Sequence, residues 1–229
     1  VGWGTQDMSQ PGMAYTVFNA GAAPAAGLMN LPDDAKKMGA PPSWIGYVGV
    51  SDVNASAKKA ERLGGRVHVQ PRDIPNIGRF AVIADPQGAT LSLFKGTNPE
   101  PPKPPEPRMP GRTGWNELLA VDWEKAFAFY GEMFGWQKAD AIDMGAMGTY
   151  QMFSAGGQPI GGMFNKPATV PAPFWTYYFN VAGIDAAAER IKASGGKIMN
   201  GPMEVPGGQW IVQGTDPQGA MFALVGKRS

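Results

Sequence analysis

Few residues of this chain could carry chemistry. Cysteine is absent and histidine occurs once, which excludes thiolate nucleophiles, disulfides and cysteine metal sites. The strongest candidate is Glu117, which follows Trp115 by two positions in the segment GWNELLAV. Because residues two apart on a β-strand share one face, this carboxylate would stand beside an indole. Burial there would make Glu117 a candidate general acid or base, with ligand orientation or a purely structural carboxylate as the alternatives.

The segments around Glu117 predict one βαβββ module. GWNELLAV alternates as a strand does, Asp122 can cap a helix, and apolar residues recur at helical spacing over Trp123–Phe134. Three strand-like runs follow. The same order returns later, with TYYFNV as the strand, Asp185–Ser194 as the helix, and then KIMNGPMEV, GQWIVQGT and GAMFALVG. The turn sequence DPQG precedes the last strand of the module.

The module is repeated along the chain. ADPQGA at 84–89 and TDPQGA at 215–220 lie 131 positions apart, and VGW at 1–3 is matched by FGW at 134–136. Complete modules are predicted at about 43–97, 112–167 and 173–227. The first module starts where its helix should be ending, so its opening strand and helix, roughly 30 residues, are missing from it. Either those residues precede this sequence in a longer chain, or the first module is incomplete.

Four modules predict two domains, residues 1–97 and 111–229. Between them, residues 98–110 read NPEPPKPPEPRMP. Prolines fix φ and remove amide donors, so this stretch is predicted to be a stiff linker.

Composition limits the partners. Twenty basic residues balance nineteen acidic ones, which gives no broad electrostatic attraction to nucleic acid or to a charged membrane. No apolar stretch approaches the roughly 20 residues that cross a bilayer, and residues 1–10 do not resemble a signal peptide. We expect a cytoplasmic monomer or homodimer whose partner is a small molecule, without nucleic-acid or membrane partners.

The repeated module resembles that of the vicinal oxygen chelate superfamily, which includes glyoxalase I, bleomycin-resistance proteins and extradiol dioxygenases. NELLAVDWEKAFAFYGEMFGW (116–136), VAGIDAAAERIKASGG (181–196) and the DPQG turns carry the resemblance. The WNELL opening is most similar to two-domain bacterial glyoxalase-like proteins, some of them labelled hydroxylases. The resemblance implies an α+β fold in which paired modules form two half-open barrels, each around a ligand cavity.

The same resemblance implies where a metal would be bound. Metal enzymes of the superfamily use His, Gln or Glu on first and last strands, and those positions correspond here to Ile45, Trp115, Thr176, Ser92 and Ala223. None is a competent ligand for a catalytic divalent ion. One further position belongs to the missing opening strand of the first module. We therefore predict a cavity with no metal and no cofactor.

Strand alternation predicts what lines the cavity instead. The expected lining is aromatic with a few polar groups, which suits a small, mostly apolar ligand. The predicted ligand-binding residues are Trp115, Glu117, Thr176, Tyr178, Asn180, Ile45, Tyr47, Ser92, Phe94 and Ala223. His68 lies in the strand-like segment RVHVQ and is interpreted as an ordinary sheet residue, with a titrating catalytic role as the alternative.

Three functions remain open at this point. The leading hypothesis is a metal-free member of the superfamily that binds a small aromatic or apolar molecule. The second is a metal-independent enzyme of glyoxalase, isomerase or hydroxylase type that uses Glu117 as acid or base. The third is a protein-interaction or regulatory role in which the cavities have no ligand.

Overall fold

The computed structural model describes residues 1–10, 12–98 and 108–228. Fifteen strands and four α-helices occur in these ranges, which confirms the predicted α+β class. The helices are α1 (Asp33–Lys37), α2 (Val53–Arg62), α3 (Trp123–Phe134) and α4 (Ile184–Ala193). Within the described ranges, none of them is long and apolar enough to pass through a membrane. Most of the predicted linker, residues 99–107, lies outside the described residues.

The strands follow the βαβββ order. They are β1 (Gly4–Asp7), β2 (Tyr15–Ala20), β3 (Ala23–Met29), β4 (Tyr47–Gly49), β5 (Arg66–Ile74), β6 (Gly78–Ala84), β7 (Thr90–Gly96), β8 (Thr113–Ala120), β9 (Gln137–Asp143), β10 (Thr149–Ala155), β11 (Gln158–Asn165), β12 (Phe174–Gly183), β13 (Lys197–Val205), β14 (Gln209–Thr215) and β15 (Met221–Lys227). In each complete module the opening strand pairs in parallel with the last strand, and the other pairs are antiparallel. In the third module this pairing sets β8, which carries Glu117, directly beside β11.

Contacts divide the described residues into two compact units. The first unit holds residues 1–44, 108–114 and 177–228, and the second holds 45–98 and 115–176. The first unit contains the sheet β1-β2-β3 and the strand order β13-β14-β15-β12 with α4. The second contains the sheets β4-β7-β6-β5 and β8-β11-β10-β9 with α2 and α3.

Local sequence fixes the ends of the helix that follows Glu117. The Oδ1 of Asp122 accepts a hydrogen bond from the backbone N–H of Lys125 at 3.1 Å, which caps the start of α3. The helix ends at Gly135, whose φ of 71° is left-handed. Asp52 caps α2 in the same way through Ala55. These caps set where the apolar face of α3 begins and ends.

A buried hydrogen-bonded chain ties α3 to the DPQG turn of the second unit. The Tyr130 hydroxyl donates to Asp85 Oδ2 at 3.0 Å and accepts from Trp175 Nε1 at 3.0 Å. The other Asp85 oxygen accepts the backbone N–H groups of Gln87 and Ala89. Burial raises the pKa of Asp85 above its usual 3.8, while these hydrogen bonds act in the opposite direction. The repeated turn is therefore also an anchor for a helix.

Replacing Tyr130 with phenylalanine should lower the free energy of unfolding by about 1–3 kcal/mol at pH 7, because Asp85 and Trp175 both lose a buried partner. The Asp85 carboxyl has a raised pKa in the folded state, so its ionisation costs stability as pH rises above 3.8. The Tyr130→Phe variant lacks the hydroxyl that donates to the ionised Asp85 carboxylate. Its loss in free energy of unfolding should therefore shrink as pH falls towards 4 and Asp85 becomes protonated. Urea titrations at several pH values measure this.

The matched control is Tyr47→Phe, which removes the same hydroxyl from a side chain in a residue that is 57% exposed. It should change stability by less than about 0.5 kcal/mol. Equal losses in the two variants, or a Tyr130→Phe deficit that grows at low pH, would contradict the assignment of this chain.

Candidate functional site

Strand alternation separates the two faces of β8. Leu118 and Ala120 are buried in the apolar core, at 0% and 1% exposure. Trp115 and Glu117 have the opposite parity and lie on the other face, as the sequence predicted. Glu117 is nevertheless 8% exposed, so its carboxylate needs hydrogen-bond partners.

A tyrosine from β10 joins the two predicted residues. Trp115 Nε1 donates to the Tyr150 hydroxyl at 2.7 Å, and that hydroxyl donates to Glu117 Oε2 at 3.1 Å. We call these three residues the Glu117 cluster. Sequence analysis missed Tyr150, although a tyrosine at the matching place of the first module, Tyr15, is a signal that could have found it.

The Glu117 cluster depends on a glycine. In the parallel pairing of β11 with β8, Gly162 stands opposite Glu117. A Cβ built at Gly162 would overlap the ring of Tyr150, so the ring crosses β11 only because this position has no side chain. The first unit repeats the device, since a Cβ at Gly27 would overlap Tyr15.

Electrostatics keep Tyr150 a hydrogen-bond donor. Burial raises the pKa of its phenol, and the negative charge of Glu117 raises it further, against the opposing effect of the hydrogen bond from Trp115. The phenol therefore stays protonated across the physiological range. The neutral Tyr150 hydroxyl therefore continues to donate its hydrogen bond to Glu117 Oε2.

The other predicted residues of the second unit lie on the sheet β4-β7-β6-β5. Ser92 is buried, at 1% exposure, and stands opposite Tyr47 in the β4–β7 pair. Phe94 packs edge to face against Tyr47 with ring centroids 5.9 Å apart. Ile45 and Tyr47 are exposed, at 39% and 57%. These four residues thus form a group on a different sheet from the Glu117 cluster.

The residues predicted on β12 and β15 are buried. Thr176 is 1% exposed, and its hydroxyl has no hydrogen-bond partner in the described part of the chain. In the first unit, the Tyr178 hydroxyl accepts a hydrogen bond from Gln213 Nε2 at 2.6 Å. Sequence analysis did not single out Gln213. Ala223 stands opposite Tyr178 in the β12–β15 pair. Asn180 bonds through its backbone to Gly111 and Arg112.

The side chains of the Glu117 cluster do not fit a catalytic divalent ion. A catalytic site of that kind uses about three protein ligands such as imidazole or carboxylate. The Glu117 cluster contains one carboxylate, and one oxygen of this carboxylate already accepts a hydrogen bond from Tyr150. Within residues 1–10, 12–98 and 108–228, no three His, Cys, Asp or Glu side chains are grouped as a metal site requires. His68 lies exposed on β5.

Gly162→Ala should displace the Tyr150 ring and lower the free energy of unfolding by about 1–3 kcal/mol, because the added methyl overlaps a buried ring. In a Tyr150→Ala background the obstacle is absent, so the same change should cost much less. Gly49→Ala is the control, since a Cβ there meets no atom within 4 Å. Chemical denaturation of the four Gly162 and Tyr150 combinations measures the coupling, and an equal cost of Gly162→Ala in both backgrounds would contradict the packing described.

Comparison with known proteins agrees with the fold. The model of the Glyoxalase/Bleomycin resistance protein/Dioxygenase superfamily matches residues 112–224. In structure, the chain is similar to the Mn(II)-bound glyoxalase of Novosphingobium aromaticivorans, with a TM-score of 0.61 and 17% identity over 99% of this chain and 75% of that one. At that identity the likeness shows the fold alone.

Two relatives are similar over most of the sequence. A Mycobacterium bovis protein with the name "Putative glyoxylase CFP32" is 31% identical, covering 98% of this chain and 85% of the relative. The "Anthracycline biosynthesis protein DauV" of Streptomyces sp. strain C5 is 30% identical, covering 98% of this chain and 84% of the relative. With the repeated βαβββ modules and this likeness over nearly its full length, the chain belongs to the Glyoxalase/Bleomycin resistance protein/Dioxygenase superfamily.

Proposed function

We propose that this protein binds a small, mostly apolar aromatic molecule at the Glu117 cluster, without a metal ion. The observation that carries the proposal is the chain of hydrogen bonds from Trp115 through Tyr150 to the carboxylate of Glu117. A carboxylate held this way is a fixed acceptor on a strand face that also presents two aromatic rings. Binding sites for small molecules combine apolar walls with a few such oriented polar groups.

The chemistry of the Glu117 cluster limits the ligand. Trp115 and Tyr150 offer ring surfaces for stacking, which favours a flat, conjugated molecule. Glu117 accepts hydrogen bonds, so the ligand should carry a hydroxyl or amino group near its ring. A ligand with its own carboxylate at that point would be repelled.

The relatives support an aromatic ligand. One of them has a name that places it in anthracycline biosynthesis, and anthracyclines are fused-ring aromatic compounds with hydroxyl groups. Such a molecule meets both requirements of the Glu117 cluster. We therefore propose hydroxylated aromatic compounds as the ligand class.

The donor set supports binding without a metal ion. The single carboxylate of the Glu117 cluster accepts a hydrogen bond from the phenol of Tyr150, and the raised pKa of this phenol keeps its proton on oxygen. A protonated phenol is a poor metal ligand, and an indole N–H has no lone pair to donate. The site is therefore suited to an organic hydrogen-bond donor.

A second candidate function is metal-independent proton transfer. The Tyr150–Glu117 hydrogen bond favours it, because a base and a neutral acid stand side by side. The Tyr150 hydroxyl would turn its one proton from Glu117 to the carbonyl oxygen of the substrate, and Glu117 would then remove the proton from the carbon next to that carbonyl group. Returning the proton to the opposite face of the same carbon would complete a racemisation, an isomerisation that needs no co-reactant.

The binding proposal predicts a loss of affinity when the Glu117 cluster is altered. Titration with a fluorescent anthracycline should show saturable binding. Glu117→Gln and Tyr150→Phe should each weaken binding by about tenfold, since a hydrogen bond to a charged group contributes about 1.5–3 kcal/mol. Tyr47→Phe is the matched control and should leave the dissociation constant unchanged. No saturable binding, or equal affinity in all four proteins, would contradict the proposal.

The proton-transfer candidate predicts exchange of a carbon-bound hydrogen. A panel of aromatic and aliphatic carbonyl compounds in D2O would be followed by proton NMR. The unaltered protein should accelerate deuterium uptake next to the carbonyl, and Glu117→Gln should abolish that acceleration while retaining measurable binding. Exchange that persists in Glu117→Gln would remove Glu117 as the base.

A further inference from the structure

The second unit carries another aromatic surface, on the sheet β4-β7-β6-β5. Strand pairing sets Arg72 of β5 opposite Phe80 of β6, and Phe80 opposite Phe94 of β7. Residues that stand directly opposite each other in paired strands point to the same face of a sheet. We call these three residues the Arg72 face. It lies on a different sheet from the Glu117 cluster.

The other side of this sheet is covered by α2. Ala81 and Leu93, which alternate with Phe80 and Phe94 along their strands, are both 0% exposed. Helix α2 packs against β5, β6 and β7 on that side. Phe80 and Phe94 are only half-buried and Arg72 is exposed, so the Arg72 face is accessible to a ligand.

A glycine lets the ring of Phe94 extend over β6. A Cβ built at Gly78 would stand 2.8 Å from Phe94 Cζ, which is closer than such atoms approach, so only glycine leaves room for the ring. On another side, the Tyr47 ring packs edge to face against Phe94, with the ring centroids 5.9 Å apart. These contacts hold Phe94 in place, so the Arg72 face is formed before any ligand arrives.

The guanidinium of Arg72 is oriented by an aromatic ring. It lies over Phe80, 5.0 Å from the ring centroid, at the distance of a cation–π contact. Among the described residues, the guanidinium has neither a salt bridge nor a hydrogen bond. A guanidinium carries five N–H donors in one plane, so a carboxylate can approach its edge while one of its faces stays on the ring.

No acid within the four strands cancels the charge of Arg72. Asp73 is the only acidic residue of β4, β5, β6 and β7. It stands opposite Arg79 and is bonded to it at 2.8 Å. Arg79 also donates to Asn54 of α2, which places this ion pair on the helix side of the sheet. The Arg72 face therefore combines a cation with two aromatic rings.

We propose that the Arg72 face is a second ligand site, which binds a flat aromatic carboxylate. The carboxylate accepts a pair of N–H donors from Arg72, and the ligand ring packs on Phe80 and Phe94. Arg72 and Phe94 lie two strands apart, about 10 Å, so the site suits one or two fused rings. The Glu117 cluster would repel such a ligand, and this second site therefore stands independently of the function proposed above.

The test titrates the full chain with 2-naphthoate and with 2-naphthylmethanol, a neutral probe that has the same ring. Isothermal titration calorimetry measures both dissociation constants. 2-Naphthoate should bind saturably and about five- to tenfold more tightly than the alcohol, because only the carboxylate can pair with a guanidinium. Equal affinity for the two probes, or no saturable binding of 2-naphthoate, would overturn the proposal.

Arg72→Gln should remove the preference for 2-naphthoate, because the neutral amide cannot form the ion pair. The matched control is Arg66→Gln, which deletes the same charge from an exposed residue of the same strand, about 20 Å away. Arg66→Gln should keep the preference, and circular dichroism confirms that each variant is folded. An equal loss in the two variants would overturn the site, because it would reduce the effect to net charge.

A second measurement locates the ligand in the unaltered protein and does not rely on an arginine variant. Phenylalanine rings are labelled with carbon-13, and the signals of Phe80, Phe94 and Phe164 are assigned from their leucine variants. 2-Naphthoate should shift the signals of Phe80 and Phe94. Phe164 lies beside Tyr150, with ring centroids 5.8 Å apart, so it reports on the Glu117 cluster. Shifts of Phe164 without shifts of Phe80 and Phe94 would overturn the second site.

Discussion

The hydrogen bond between the Tyr150 hydroxyl and Glu117 is the interaction on which the candidate functional site depends. A carboxylate that is only 8% exposed is costly unless hydrogen-bond donors satisfy it. Tyr150 supplies one, Trp115 orients Tyr150, and Gly162 leaves room for the ring. The arrangement fixes a charge acceptor beside two aromatic surfaces, and this combination leads to the proposed aromatic ligand.

The repeated module explains why similar sequences have different uses. In the second unit the DPQG aspartate anchors α3 through Tyr130, so the turn contributes to stability. In the first unit the matching Asp216 lines a cavity of about 320 Å³. The two DPQG turns have the same internal hydrogen bonds, and they differ in the side chains that surround their aspartates.

Much of the fold could be predicted from local sequence. The bounds of α3 agree with the structure because Asp122 caps it and Gly135 ends it. Trp115 and Glu117 share a face because strand parity is a local property. Tyr150 was missed because its contact depends on the pairing of β11 with β8 and on the space above Gly162, and neither is encoded within one strand. Parity likewise predicted a common face for Ile45 and Tyr47 but not how much of that face is covered, and both are exposed. The domain boundaries and the metal-free cavity remain predictions.

The most direct test of the central claim is native mass spectrometry with elemental analysis of the protein purified without chelators, in the unaltered form and as Glu117→Gln. Our account predicts that the unaltered protein carries either an organic molecule or nothing, that any such molecule is reduced in Glu117→Gln, and that divalent metal is far below one ion per chain in both. A stoichiometric divalent ion that disappears in Glu117→Gln would contradict the account, because it would make Glu117 a metal ligand.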